Sequence, residues 1–344
     1  MSIDIERLIH SLKTAIACLF AYIFTHLLGL HSDPWIIITV IVVMCAQIYV
    51  GSVIQKGYLR FLGTLIGCLL ATITLLSFGH SALTIMATIA LAAFIFSFIA
   101  TGTESLSYAG TLGAVTTIII LISPTPTPLI AGQRFLEISL GILIATLISQ
   151  FVLPIHARTH LRRAQAQTLE ELRRFYQATM IDRSIESSED YQELEQNIIA
   201  TLVRQQKLAK ESKHELFGEK FNAEHMTLTL YCEREMLRAT SFMYHAISDI
   251  DAEINSLKNV TAIDLFNKTI MASLETLHQA VKTKNTQNLH IHAVDITGLR
   301  QTVLAAVGDF SAEQAIYADG FLFSAEILNK ALTKLAGLFG VNVL

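Results

Sequence analysis

The sequence predicts an all-α membrane protein: a six-span transmembrane helical domain built from two inverted three-helix repeats, followed by a soluble α-helical bundle domain. Three observations predict this fold: an uneven distribution of charge, six apolar runs, and a repeat within those runs. Residues 1–155 hold only five of the 25 Lys and Arg residues and five of the 29 Asp and Glu residues. A segment so poor in charge cannot cover a soluble surface, whereas residues 156–344 can. We therefore expect a membrane domain at 1–155 and a cytoplasmic domain at 156–344.

The first domain contains six apolar runs that are typical of membrane helices. They lie at about 12–30, 35–50, 60–78, 82–100, 108–122 and 134–153. A membrane span needs ~17–25 mostly apolar residues, and four of the six runs meet that length. The first run continues to Leu30 without a small-residue cleavage site and is followed by further runs, which argues against a cleaved signal peptide.

The basic residues around the spans predict the orientation of the chain. They are Arg7 and Lys13 before the first span, Lys56 and Arg60 in a loop after the second, and Arg158, Arg162 and Arg163 after the sixth. The three intervening loops contain no Lys or Arg before Arg134. Because basic residues favour the cytoplasmic side, both termini are expected to be cytoplasmic.

The second domain differs from the first in its prolines. All five prolines fall within the first 154 residues, and the following 190 contain none. A long proline-free tract with helix-period apolar residues predicts a helical bundle. The predicted helices lie at about 157–180, 189–216, 224–256, 261–283, 294–308 and 312–338.

A repeat links the two halves of the membrane domain. The stretch YLRFLGTLIGCLLAT (58–72) nearly recurs as GQRFLEISLGILIAT (132–146), so an offset of 74 places Arg60 on Arg134 and Gly67 on Gly141. The offset equals three spans, and three is odd, so the second copy would cross the membrane in the opposite sense. It also aligns the two shortest spans, the second and the fifth. Such a pair of short segments indicates a transport site near the bilayer midplane.

The repeated arginines are the first candidate site residues. Arg60 would guard the cytoplasmic end of a pathway and Arg134 the outer end. A guanidinium group carries five donors in a planar fork, which suits a carboxylate or another organic anion. The alternative is that each arginine only reaches the lipid headgroups from the end of its span.

Four further polar residues are candidates for lining the predicted pathway. Glu137, one turn from Arg134, either neutralises that arginine or acts as a proton-coupling carboxylate. Gln47 could hydrogen-bond a substrate or a neighbouring helix, and Lys13 marks the inner boundary of the first span or lines the pathway. Glu104, in a loop, could face Lys56 or Arg60 across a vestibule.

Several classes of function are excluded or disfavoured. The sequence contains no phosphate-cradling glycine loop and no nucleophile elbow, so neither an enzyme nor an ATP-driven pump is expected. The net charge of −4 is mild and mixed in sign, which argues against a nucleic-acid partner. The four cysteines match neither a zinc site nor a redox pair, so no metal or cofactor is predicted.

Two segments carry a family resemblance. DPWIIITVIVVMCAQIYVGSVIQKGYLRFLGTLIGCLLA resembles the tryptophan-led second span, basic loop and R-x-x-G-T-x-x-G third span of the fusaric acid resistance and aromatic acid exporter proteins. GQRFLEISLGILIATLISQFVLP is similar to the sixth span of that family with its closing proline. The resemblance covers residues 1 to about 160, and plant aluminium-activated malate transporters are more distantly similar. The positions carried over from it are Trp35, Arg60, Gly63, Thr64, Gly67 and Arg134.

The resemblance implies a function and an assembly. It implies an inner-membrane exporter of aromatic or other organic acids, driven by the proton gradient. Many bacterial members repeat the whole unit, whereas this sequence has one, which implies a homodimer. A passive anion channel and a non-transporting membrane scaffold, whose soluble bundle binds a partner, stay open as alternatives. Gly63 and Gly67, with Gly141 in the repeat, are expected to pack helices rather than to contact substrate.

Overall fold

The fold is described from a computed structural model, which covers residues 5–27, 29, 34–103, 105–185, 187–217, 221–251, 261–306 and 312–344. Apart from one pair of two-residue strands, the regular structure in these ranges is helical. The chain separates into two compact units: residues 1–157 with 211–219, and residues 158–210 with 220–344. Glu104, which the sequence places in a loop, lies outside the described residues.

The first unit contains the apolar helices. They are α1 (Ile5–Leu27), α2 (Trp35–Met44), α3 (Val50–Phe78), α4 (Ala82–Gly102), α5 (Ser107–Leu121) and α6 (Pro128–Phe151). Among the described residues, α1, α3, α4 and α6 are long and apolar enough to cross a membrane. The helices α2 and α5 are shorter, with 10 and 15 residues. At ~1.5 Å per residue they reach only about 15 and 22 Å, less than the ~30 Å of a hydrocarbon core.

One prediction about this unit is wrong. The sequence predicted a loop that holds Lys56 and Arg60, but both residues lie within α3, which has 29 residues. Between α2 and α3 the chain leaves helical conformation, and Tyr49 is extended (φ −91°, ψ 146°). The Val50 amide that opens α3 donates a hydrogen bond to the Ile155 carbonyl. The helix α3 therefore begins ten residues before the predicted third span.

Local sequence sets the ends of the other apolar helices. Gly79 ends α3 at φ +71°, a left-handed conformation that glycine adopts without steric cost. The Ser81 hydroxyl accepts a hydrogen bond from the Thr84 amide and caps α4. The Thr127 hydroxyl caps α6 in the same way, and Pro128 occupies the first turn, where its missing N–H is not needed.

Glycines allow close packing in the first unit. The helix α3 packs against α5 and α6, while α2 packs against α6 and α4 packs against α5. A Cβ on Gly67 would lie 2.6 Å from the Gly113 carbonyl oxygen of α5, and one on Gly141 would lie 2.8 Å from the Ile36 carbonyl oxygen of α2. Only glycine permits backbones to approach this closely, so the predicted packing role agrees with the contacts.

The second unit is built from α7 (Ala157–Tyr176), α8 (Ser188–Ser212), α9 (Ala223–Asp251), α10 (Thr261–Thr283), α11 (Ile296–Ala306) and α12 (Ala312–Phe339). A π-helical turn, Gln177–Ile181, extends α7, and strands β1 (His290–Ile291) and β2 (Asn342–Val343) pair in parallel. Buried apolar side chains of α7 to α12 form a continuous core. These helices lie within a few residues of the predicted ones.

Candidate functional site

A cavity of about 210 Å³ lies between α2, α3, α5 and α6. Its walls are apolar except for two arginines, one threonine and one indole. The lining residues are Trp35, Ile38 and Val42 on α2, Arg60 on α3, Leu112, Val115, Thr116 and Ile119 on α5, and Arg134 and Ile138 on α6. Both repeated arginines thus line one cavity, together with both short helices.

Arg60 is almost completely buried, with 5% of its surface exposed. One of its terminal nitrogens donates a hydrogen bond to the Thr39 hydroxyl over 3.2 Å. The Nε atom is buried and has no hydrogen-bond partner among the described residues. A buried guanidinium with a free donor is costly unless something accepts from it. This arginine does not reach out to headgroups, so the geometry favours the pathway interpretation for Arg60.

Arg134 has closer protein partners than Arg60. Its Nη1 donates to Glu137 Oε2 over 2.8 Å, within one turn of α6. Its guanidinium carbon lies 4.9 Å from the centre of the Trp35 ring, a cation–π contact between α6 and α2. The structure therefore pairs Glu137 with Arg134, which is the neutralising arrangement of the two that the sequence left open.

Several residues that line this cavity are related in pairs by the 74-residue offset of the repeat. Ile38 of α2 corresponds to Leu112 of α5, and Arg60 corresponds to Arg134. The rings of Phe61 and Phe135, which also correspond, are 5.4 Å apart between α3 and α6. A contact between corresponding residues is expected where a pseudo-twofold axis passes between two helices.

A second cavity, of about 250 Å³, holds two other predicted residues. It is lined by Gln47, Ser52, Gln55, Lys56, Leu59 and Tyr108. The Lys56 ammonium lies 5.2 Å from the centre of the Tyr108 ring. Ser52, Gln55 and Tyr108 were not predicted from the sequence. Ser52, Gln55 and Lys56 have helical spacing, and recognising that α3 begins at Val50 would have placed all three on one face.

Three predicted pathway residues line neither cavity: Glu137, which pairs with Arg134, and Lys13 and Thr64. Lys13 is fully buried in α1, and its ammonium has no hydrogen-bond partner among the described residues. Thr64 is buried in α3 one turn from Arg60, and its hydroxyl likewise has no partner in the described part of the chain. Gly63 packs against Ala109 of α5, where a Cβ would lie 2.4 Å from the carbonyl oxygen.

The dimensions and chemistry of the first cavity suit a small anion. Its volume is below the ~300–1,000 Å³ of pockets that hold drug-sized ligands. Apolar walls can hold a ring or a short chain, while the Arg60 donors and the Arg134 guanidinium can hold a carboxylate. The arrangement can bind and orient an acid.

Comparison with known proteins identifies related chains. The chain is 29% identical over 180 residues to inner membrane protein YeeA of Escherichia coli (strain K12), an alignment that covers 52% of this chain and 50% of YeeA. It is 28% identical over 160 residues to the p-hydroxybenzoic acid efflux pump subunit AaeB of Escherichia coli O9:H4 (strain HS), covering 42% of this chain and 24% of AaeB. The AaeB subunit of Pectobacterium carotovorum is 26% identical over 189 residues, covering 49% and 28%. The chain thus spans half the length of YeeA and about a quarter of each AaeB.

A family model covers nearly the whole chain. The model of the fusaric acid resistance protein family matches residues 7–338, which includes both compact units. The match agrees with the resemblance in the second, third and sixth apolar runs and with the four helices that are long enough to cross a membrane. The chain is a multi-pass membrane protein and belongs to the fusaric acid resistance protein family.

Proposed function

We propose that the protein is an inner-membrane efflux transporter for aromatic or other small organic acid anions, driven by the proton gradient. The proposal rests mainly on one observation, which is that Arg60 and Arg134 line the same cavity. A chain keeps a buried arginine in a membrane when the charge has a partner or a pathway. The similarity to AaeB, named as an efflux pump subunit for p-hydroxybenzoic acid, supports an acid of that size.

The proposed mechanism uses two three-helix repeats of opposite orientation. Corresponding helices make corresponding contacts: α3 packs on α5 as α6 packs on α2, and α4 packs on α5 as α1 packs on α2. The helices α2 and α5, each too short to cross a bilayer, meet at the cavity. In this proposal the cavity opens to each side in turn as one repeat moves against the other.

The proposal also includes orientation and assembly. The membrane domain would comprise residues 1–155 and the cytoplasmic domain residues 156–344, with both termini in the cytoplasm and two copies forming a homodimer. Basic residues at the ends of the first and sixth spans support this orientation.

Export of p-hydroxybenzoate from loaded cells tests the proposal. We expect cells that express the wild-type protein to export the acid faster than cells without it. Arg60→Met and Arg134→Met should each reduce the rate at least tenfold, because each removes charge-assisted hydrogen bonds to the carboxylate. Lys282→Met, which removes an exposed charge from the second unit, is the matched control and should export normally.

Two outcomes would contradict the proposal. Normal export by both arginine variants at equal expression would show that the cavity is not part of the transport pathway. Steady single-channel currents of the purified protein in a planar bilayer without a proton gradient would identify a passive channel instead.

A further inference from the structure

The second cavity has the polar side chains of a binding site. The Ser52 hydroxyl is buried and has no hydrogen-bond partner among the described residues, while the Tyr108 hydroxyl is buried beside the Arg60 guanidinium and interacts with it. Ser52 itself is 6% exposed. The Lys56 ammonium and the amides of Gln47 and Gln55 complete the polar lining. A buried hydroxyl without a partner is unfavourable, so the Ser52 hydroxyl beside this cavity favours a ligand with a hydrogen-bonding group.

The charge of this cavity defines the class of ligand. Lys56 contributes an ammonium, and Arg60, which lines the first cavity, lies near both Lys56 and the Tyr108 hydroxyl. No carboxylate is among the described residues that line this cavity. Two cations and two hydroxyls favour a carboxylate that carries a second hydrogen-bonding group.

The corresponding positions of the second repeat lack this chemistry. An offset of 74 maps the polar lining onto apolar residues: Gln47 onto Leu121, Ser52 onto Pro126, Gln55 onto Leu129 and Lys56 onto Ile130. Tyr108 belongs to the second repeat, and the same offset relates it to Pro34 in the first repeat. The arginines of the first cavity correspond through the repeat, whereas the polar lining of the second cavity has no polar counterparts at the corresponding positions. An asymmetric polar site on an otherwise symmetric pathway gives that pathway a preferred end for capturing an anion.

We propose that the cavity lined by Ser52, Lys56 and Tyr108 is a second anion-binding site, which captures the acid on the cytoplasmic side and passes its carboxylate to Arg60. This inference rests on the proposed transport function and adds to it a capture site and a direction. Arg60 lines the first cavity and lies near Lys56 and Tyr108 of the second, so in this proposal the carboxylate passes from the Lys56 ammonium to the guanidinium. The preferred ligand is a small acid with a hydroxyl substituent.

The number of bound ligands tests the capture site. Equilibrium binding of radiolabelled p-hydroxybenzoate to the purified protein should give two molecules per chain for the wild type. Lys56→Met and Arg134→Met should each bind one molecule of the acid per chain. Lys56→Arg, which keeps the charge, should still bind two. The molecule still bound by Lys56→Met would also show that this variant is folded.

Transport measured from each side of the membrane distinguishes a capture site on the cytoplasmic side from a general loss of affinity for the acid. In inside-out vesicles, Lys56→Met should raise the KM for p-hydroxybenzoate about tenfold or more, as expected for the loss of a charge-assisted hydrogen bond. In right-side-out vesicles its KM should be unchanged. Arg134→Met should raise the KM from both sides.

The possible failures are distinguishable. One molecule bound by the wild type, lost in Arg134→Met and kept in Lys56→Met, would overturn the capture site and leave the proposed function intact. An equal rise in KM from both sides for Lys56→Met would overturn the directional role. No binding and no transport by the wild type would overturn the proposed function itself.

Discussion

Glu137 makes the two repeated arginines chemically different. Its carboxylate accepts a hydrogen bond from Arg134, while the position that corresponds to Glu137 in the first repeat is Gly63. Arg60 has a neutral partner, the Thr39 hydroxyl. Arg60 therefore keeps more of its charge for a ligand, and Arg134 is oriented by Glu137 and by the Trp35 ring. We infer that Arg60 contributes more to affinity and Arg134 more to positioning.

Glu233 is an ionisable residue buried in the second unit. It is fully buried in α9 and its Oε2 accepts a hydrogen bond from Gln205 Nε2 over 2.8 Å. Burial raises the pKa of Glu233 to about 8, and the hydrogen bond from Gln205 offsets only part of that effect. The folded protein therefore holds a proton that the unfolded chain releases above its ordinary pKa of about 4.3. Stability is highest below that value and falls as the pH rises towards 8.

The pH dependence of unfolding tests this role of Glu233. At ~1.4 kcal/mol per pH unit, the wild type should lose up to about 3 kcal/mol between pH 6 and pH 9 through this residue. Glu233→Gln should remove that loss, because an amide cannot ionise. Thermal unfolding of the two proteins in detergent at both pH values gives the measurement.

Glu326→Gln provides the matched control for Glu233. This residue lies on α12, where its carboxylate pairs with Lys330 at the surface. Its replacement should leave the pH dependence of the wild type unchanged. An identical fall in melting temperature for the wild type and Glu233→Gln would show that the buried carboxyl is not the titrating group.

At the scale of helices, two glycine contacts hold the cavity walls. Gly67 brings α3 against Gly113 of α5, and Gly141 brings α6 against Thr39 of α2. The offset of 74 relates these contacts, since it maps Gly67 onto Gly141 and Thr39 onto Gly113. Each contact joins a helix that bears an arginine to one of the short helices.

Replacement of these glycines should separate the helices. Gly67→Ala and Gly141→Ala should each destabilise the protein by about 1–3 kcal/mol, because the new methyl group meets a backbone carbonyl or a threonine side chain. Gly132→Ala is the control on the same helix as Gly141, since nothing lies within 4 Å of its Cβ. It should be neutral or stabilising by ~0.5–1 kcal/mol. Equal melting temperatures for all three variants would contradict these contacts.

The helices show what the sequence could and could not predict. The ends of α4 and α5 lie within two residues of the predicted spans because apolar runs there end at polar or turn residues. The first ten residues of α3 were predicted as a loop because they are too polar to resemble a span, yet a helix of 29 residues reaches about 44 Å and extends beyond a bilayer core. Hydropathy marks the part of a helix in lipid, not the whole helix.

The site was predicted in part for a similar reason. The repeat identified Arg60 and Arg134, since corresponding charges in apolar segments are visible in the sequence alone. The contact of Trp35 with Arg134 depends on how α2 packs against α6, which no pattern along the chain specifies. Ser52 was missed because the start of α3 was predicted as a loop, and Tyr108 because it lies on α5, separated from α3 by the whole of α4.

At the scale of the molecule, the account requires the two repeats to cross the membrane in opposite directions. Corresponding residues must then face opposite sides of the bilayer. Ile48, just before α3, corresponds to Ile122, just after α5. Single cysteines at these two positions report the sidedness of the two repeats, provided that Cys18, Cys45, Cys68 and Cys232 are first replaced by alanine.

The most direct measurement is the labelling of Ile48→Cys and Ile122→Cys in intact cells with a thiol reagent that does not cross membranes. We expect Ile122→Cys to react from outside, and Ile48→Cys to react only after the cells are permeabilised. Reaction of both cysteines from the same side would contradict the opposed repeats and, with them, a pathway in which Arg60 and Arg134 face opposite sides in turn.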